Sequence, residues 1–319
     1  MTVTGVERLL PFHLVYHERY DLNLGDHVFP ARKYRLIRER LLADGVALAG
    51  DFLSPAPALD EDLLAVHDRQ WIQKLKNGTL SYHEILQLEI PYSSQMVDGV
   101  MLATGGSVLA AERSLIDGIG FNLGGGFHHA FQGHGEGFCA IHDVAVAIRS
   151  LQRRGLVRTA LVVDGDVHHG NGTAAIFATD PSVFTLSIHQ FGNYPQEKPP
   201  STLDIHLEDG VGDDEYLSKL KTAYAKVVTD FRPDLVCFVA GADPYKEDQL
   251  GGLSLTMQGL EARDRLVFET ALRAGAPVMV TLAGGYASDT DDTVTIHCNT
   301  CRQARDVLRA AAGFTRKTP

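Results

Sequence analysis

Cysteine is scarce here, with 4 in 319 residues. So few in so long a chain exclude the disulfide framework of a small secreted scaffold. Long apolar runs are missing too. Nothing approaches the roughly 18 consecutive apolar residues of a membrane span. The opening MTVTGVERLLPFHLVYHERY has no apolar segment of signal-peptide length. A soluble, cytoplasmic protein that uses no membrane is therefore expected. Basic residues are in deficit: 29 Lys and Arg stand against 40 Asp and Glu, a net charge of −11 at pH 7. That balance disfavours nucleic acid as a partner and tolerates basic substrates such as lysine-rich peptides or polyamines. No Pro/Gly/Ser-rich linker, repeat or low-complexity segment divides the chain. One domain over residues 1–319 is expected, and the oligomeric state is left open.

What is present is alternation. Apolar runs at 14–16, 119–123, 160–163, 183–188, 203–207, 235–239 and 278–282 read as strands. Helical patterns fall at 31–43, in two short pieces within 60–76, and at 95–115, 141–154, 173–179, 213–230, 257–273 and 293–312. Such alternation predicts an α/β protein with a mainly parallel sheet between helix layers. Gly105 and Gly106, inside the 95–115 helix, cost propensity and so point to close packing.

The stretch from Leu161 to Gly172 carries the most chemistry. A buried strand breaks into Asp164, Asp166, His168 and His169, then Gly170-Asn171-Gly172. Residues i, i+2 and i+4 of extended chain share a face, so Asp164, Asp166 and His168 are expected to project together at the strand's carboxyl end. Open α/β sheets bind ligands there. Carboxylate oxygen and imidazole nitrogen suit a divalent metal such as zinc. The plainer alternative is helix capping by Asn171 or Thr173, which leaves two acids and two histidines in six residues unexplained.

Three more strands end in glycine turns that carry functional side chains: His128 and His129, Asp243, and Tyr286. In a parallel sheet these ends meet on one edge.

Gly124-Gly-Gly-Phe-His-His-Ala130, Asp164-Gly-Asp-Val-His-His-Gly170, Gly241-Ala-Asp-Pro244 and Gly284-Gly-Tyr286 resemble the zinc-dependent histone deacetylase family. Gly135-Glu-Gly-Phe-Cys139 and Leu250-Gly-Gly-Leu-Ser-Leu255 resemble its class IV branch most. The resemblance implies the arginase/deacetylase fold and hydrolysis of acyl-lysine amides in proteins or peptides, or of acylated polyamines. It implies one catalytic zinc on Asp166, His168 and Asp243. His129 would be the main general base and acid, His128 its electrostatic partner, and Tyr286 the oxyanion donor. Asp164 would support His128, and Asn171 would stand behind His129. One potassium ion would lie at Asp164, Asp166, His168, Ser187 and Ile188, and a second at Phe177, Asp180 and Val183. Gly137, Phe138 and Tyr194 would line the acyl-lysine channel. Acyl chains longer than acetyl are expected from the class IV likeness.

Two positions depart from the family pattern. Asn171 stands where many members have Asp, and Ala283 replaces the first glycine of Gly-Gly-Gly-Tyr. An amide stabilises an imidazolium less than a carboxylate does, so the basicity of His129 is open. A two-manganese, arginase-like site needs more carboxylates, where Gly165 and His169 stand. A silent acyl-lysine binder would not need His128, His129 and Tyr286 together. His297-Cys298-Asn-Thr-Cys301 lacks a partner pair and is expected to pack in the core. His134, His142, His189 and His206 are expected in loops or behind the site.

Overall fold

The computed structural model describes residues 7–315, so both ends of the expected 1–319 domain lie outside the described residues. In chain order the elements are β1 (His13–Val15), α1 (Lys33–Ala43), β2 (Phe52–Leu53), α2 (Asp60–Leu63), α3 (Arg69–Asn77), α4 (Tyr82–Leu88), α5 (Ser94–Asp117), β3 (Ile119–Asn122), α6 (Asp143–Arg153) and β4 (Ala160–Asp164). There follow α7 (Asn171–Phe177), β5 (Val183–Gln190), β6 (Leu203–Leu207), α8 (Asp213–Phe231), β7 (Leu235–Val239), α9 (Met257–Arg273), β8 (Val278–Thr281) and α10 (Thr290–Thr315).

The eight strands form one all-parallel sheet in the order β2-β1-β3-β8-β7-β4-β5-β6. Every residue of β3, β4, β7 and β8 is buried. That explains their continuous apolar runs, since helices cover both faces of a parallel sheet. Alternate residues feed two cores. Leu161 and Val163 of β4, with Val236 and Phe238 of β7, pack under α1, α8, α9 and α10. Ala160, Val162, Leu235, Cys237 and Val239 pack on the other face, toward α3, α5 and α6. Truncating a fully buried leucine such as Leu161 to Ala would cost about 2–5 kcal/mol.

Helix α5 starts where Ser93 accepts from the Met96 amide and stops at Gly118, which has φ of 84°. Its inner glycines are needed for contact. A Cβ on Gly106 would sit 2.1 Å from the Tyr20 hydroxyl, and one on Gly105 would sit 2.0 Å from the Ala56 carbonyl. Helix α4 was absent from the sequence reading, although Ser81 and Glu84 form a capping box that marks its start. Two-residue β2 is too short for any periodicity.

Cys298 and Cys301 are free and buried in α10 and belong to the core, as expected. Of the four histidines expected in loops or behind the site, His134 lies in a loop and the other three lie on or beside regular elements. His189 and His206 are strand residues on β5 and β6, and His142 caps α6 by accepting from the Ala145 amide.

Candidate active site

Strands β3, β8, β7 and β4 are consecutive neighbours in the sheet. Their carboxyl ends therefore bring His128 and His129, Tyr286, Asp243, and the Asp164–His169 segment to one place. Alternation along β4 is not the cause, which corrects the sequence reading. The strand ends at Asp164, and Asp166 and His168 lie in the bends that follow. Local hydrogen bonds shape those bends. Asp166 N–H donates to Asp164 Oδ1 at 3.2 Å, His168 N–H to Asp166 Oδ1 at 3.0 Å, and Val167 N–H to Asp243 Oδ1 at 2.8 Å.

The three expected metal ligands meet. His168 Nδ1 is 3.0 Å from Asp166 Oδ1 and 3.4 Å from Asp243 Oδ2. All three residues are buried, and one ligand atom from each lies within 4.8 Å of the others. Gly284 N–H holds Asp166 Oδ2 at 2.9 Å, while Asp243 Oδ2 is buried with no hydrogen-bond partner. Burial opposes ionisation of Asp166, but His128 and His168 outweigh it and bring its pKa well below the ordinary value. Burial and then the charge of Asp166 push Asp243 up to about 7. An orphaned carboxylate oxygen beside a second carboxylate and an imidazole fits a divalent cation. Glycine makes the room, because a Cβ on Gly284 would stand 1.9 Å from Asp243 Oδ2.

The histidine pair hangs from the turn after β3. Asp143, whose carboxylate takes the Ser107 hydroxyl at 2.5 Å, accepts the amides of Gly126 and Phe127 at 3.0 and 2.8 Å. Gly125 and Gly126 have φ near 80°, which glycine adopts freely. His128 Nδ1 meets Asp164 Oδ2 at 2.7 Å. Burial disfavours its imidazolium, yet Asp164 and Asp166 raise its pKa to about 9. His129 Nδ1 meets Asn171 Oδ1 at 2.7 Å. Burial, then His128 and His168, push His129 well below its ordinary value. Asn171 thus works on His129 and does not cap α7, whose N-cap is Gly170. Thr173 does not cap it either; its hydroxyl meets His142 Nε2 at 2.9 Å.

A cavity of about 200 Å³ leads in, lined by Gly137, Phe138, Tyr194, Leu250 and Tyr286 with His129 and His168 at its base. A Cβ on Gly137 would lie 2.8 Å from His129 Cδ2. Tyr286 is tied down by its N–H to Asp248 Oδ2 at 2.7 Å. Burial and then Asp166 and Asp243 push its phenol pKa well up, so it stays a donor. Below lies a foot of about 20 Å³ between Phe29, Gly126, Phe127, Cys139 and Gly284.

The two expected potassium groups are also adjacent in the fold. Asp164 and Ser187 are register partners on β4 and β5, with Ile188 next along the strand. Asp180 lies between Phe177 and Val183, but Arg149 Nη1 already pairs with its carboxylate at 2.6 Å.

Several residues escaped the sequence reading. Lys33 is fully buried on α1 and donates to the Ala283 carbonyl at 2.5 Å, with its Nζ 5.9 Å from the Tyr286 ring centre. Arg263 of α9 donates to the carbonyls of Gly165 and Gly241 at 3.0 and 2.6 Å, joining the ends of β4 and β7. Glu136 accepts from the Asn171 amide at 2.5 Å and from the Tyr194 hydroxyl at 3.0 Å. The first two are each one of several cations on their helices, where nothing local distinguishes them. Glu136 sits in the Gly135–Cys139 segment, which carries the class IV likeness but gives Glu136 itself no role.

Known proteins match this arrangement. Residues 27–301 match the histone deacetylase domain. An uncharacterized protein of Picosynechococcus is 41% identical over 93% of this chain and 99% of its own length. The acetoin utilization protein AcuC of Bacillus subtilis is 32% identical over 82% of this chain and 73% of its own. Histone deacetylase 2 of Arabidopsis thaliana is 29% identical over 86% and 74%. The solved HDA15 HD domain superposes with a TM-score of 0.78 at 24% identity, covering 93% of this chain and 90% of that one, and so shares the α/β arginase/deacetylase fold. With the match running from the first long loop into the last helix, the chain belongs to the histone deacetylase family.

Proposed function

We propose that this chain is a zinc-dependent deacylase of acyl-lysine in proteins or peptides, built as one catalytic domain and most like the class IV branch. The carrying observation is the convergence of Asp166, His168 and Asp243 with His128, His129 and Tyr286 at the base of one narrow channel. When bound, zinc supplies a Lewis acid and a water of lowered pKa.

The chain's own residues supply the rest. Glu136 accepts only, so it selects the NH₂ end of the Asn171 amide and leaves the oxygen facing His129. That oxygen needs a donor, so Nδ1 of His129 carries the proton and Nε2 holds the lone pair. A neutral His129 then takes the proton of the attacking water and returns it to the leaving lysine amine. His128, kept protonated beside Asp164, adds positive charge next to it. Tyr286 donates to the oxyanion. Potassium is proposed at Asp164, Asp166, His168, Ser187 and Ile188. A second ion is proposed on main-chain carbonyls of Phe177, Asp180 and Val183, since Arg149 has taken the Asp180 carboxylate.

A foot of about 20 Å³ has room for roughly one water molecule. This favours acetyl, and a longer acyl chain would require the Gly125–Gly126 turn to shift. Glu89 lines the channel and favours a cationic substrate, which admits acylated polyamine as a second reading. The experiment is turnover of acetyl-lysine peptides and acetylpolyamines by zinc-loaded protein, with and without chelator.

A further inference from the structure

Behind the catalytic loop, along the outermost strands β5 and β6, lies a second group of metal-type side chains. His189 of β5 and His206 of β6 are register partners, as are Ser187 and Asp204 two residues earlier on the same face. His169 follows His168 but turns toward these two strands. One ligand atom each from His169, His189 and Asp204 lies within 4.8 Å of the others. His169 Nε2 is 3.3 Å from Asp204 Oδ1, and His206 Nδ1 is 3.0 Å from His189 Nε2.

Hydrogen bonding accounts for only part of the group: His169 Nε2 lies 3.3 Å from the Ser201 hydroxyl, and His206 Nδ1 can share a proton with His189 Nε2. Asp204 Oδ2 accepts the Ser201 amide at 3.0 Å, but Asp204 Oδ1 is buried without a hydrogen-bond partner. His169 is completely buried, and its Nδ1 has no partner. His189 Nδ1 is 2.9 Å from the Ser187 hydroxyl. When Nδ1–H donates there, Nε2 presents its lone pair to the cluster, as metal-bound histidines do with an outer hydrogen bond on the other nitrogen. Ligand atoms at about 2.0–2.1 Å from a tetrahedral zinc stand roughly 3.3 Å apart. The spacings of 3.3 and 3.0 Å match that edge.

We propose that His169, His189 and Asp204, with His206 closing the exposed side, bind a second divalent transition metal separate from the Asp166–His168–Asp243 site. Imidazole with one carboxylate selects zinc-like ions over magnesium or calcium. The ion would tie the loop that carries His168 to β6, the edge strand of the sheet. It needs no assumption about the reaction.

Metal-free full-length protein is titrated with Co²⁺, and bound metal is counted together with the visible absorption of the bound ion. Wild type should take two equivalents. Asp243→Ala should keep one, and Asp204→Asn should keep one. His206→Ala, at an exposed position, should weaken the second equivalent about tenfold or more and guards against misfolding of the Asp204 variant. A wild type that binds one equivalent, lost entirely in Asp243→Ala, overturns the proposal. So do two equivalents of unchanged affinity in both Asp204→Asn and His206→Ala. Because the readout is metal bound rather than turnover, absence of deacylase activity would leave the result unaffected.

Discussion

Asn171 is clamped by Glu136: its amide nitrogen donates to Glu136 Oε1 at 2.5 Å while its oxygen faces His129 Nδ1 at 2.7 Å. A carboxylate one side chain further back thus settles which way the amide points, and so which histidine nitrogen is free. Under the proposed mechanism, the charge of Glu136 behind the amide offsets in part the Asn that stands where many members of the family have Asp. Burial opposes ionisation of Glu136, but hydrogen bonds from His134, Asn171, Tyr194 and Gln87 bring its pKa down to about 2. It is therefore anionic at any pH where the protein works.

Glu136→Gln removes that charge and lets the amide turn over. The expected loss is about 1.5–3 kcal/mol, or roughly ten- to a hundredfold in kcat. KM should change little, and metal should be retained. Asn171→Asp should move the acid limb of kcat/KM to higher pH, because a carboxylate favours the imidazolium of His129. An acid limb that stays in place in Asn171→Asp would contradict the assignment of His129 as base.

Gly284→Ala should abolish metal binding at the Asp166–His168–Asp243 site while the sheet still folds. Its Cβ would stand 1.9 Å from Asp243 Oδ2 and 2.5 Å from Asp166 Oδ2. Asp243→Ala should lose the metal of this site and the activity together. Metal analysis and circular dichroism of both variants check this, and a zinc content in Asp243→Ala equal to that of wild type would refute the ligand set.

Tyr286→Phe keeps the ring and deletes the donor. Loss of one oxyanion donor costs about a hundred- to a thousandfold in kcat, roughly 3–4 kcal/mol. Zinc content and substrate affinity should be unchanged. Were the hydroxyl only structural, stability would fall and kcat per folded molecule would hold.

Lys33 gives a pH test. Burial lowers its pKa from the ordinary 10.5 to about 8, against the pull of Asp243 and Asp166. Between pH 8 and 10.5 the unfolded chain holds a proton that the folded chain has released, so stability rises with pH across that window and is lost as pH falls through 8. A shift of this size corresponds to about 3 kcal/mol. A neighbouring metal cation would deepen the shift and leave its sign alone. Urea unfolding at pH 7.5 and 10 should show that slope in wild type and its absence in Lys33→Met.

Much of the fold was legible because β3, β4, β7 and β8 are buried on both faces and so appear as unbroken apolar runs. Their glycine endings made the edge readable as a site. Other features depended on tertiary contact. The positions of Asp166 and His168 come from bends held by side-chain hydrogen bonds, which alternation along a strand does not describe. Lys33 is buried against a distant carbonyl, and Arg263 against two distant carbonyls with Asp264 beside it. His189 and His206 are unremarkable in sequence, and only strand pairing places them side by side.

The central claim is metal-dependent removal of acyl groups from lysine by His129 and Tyr286. Single-turnover and steady-state assays of zinc-loaded protein on lysine peptides carrying acetyl, butyryl and octanoyl groups, beside acetylpolyamines, address it directly. Lysine deacetylation is expected, fastest for acetyl, abolished by chelation, restored by zinc and lost in Asp243→Ala. Folded, zinc-loaded protein that binds these substrates and hydrolyses none of them would contradict the claim.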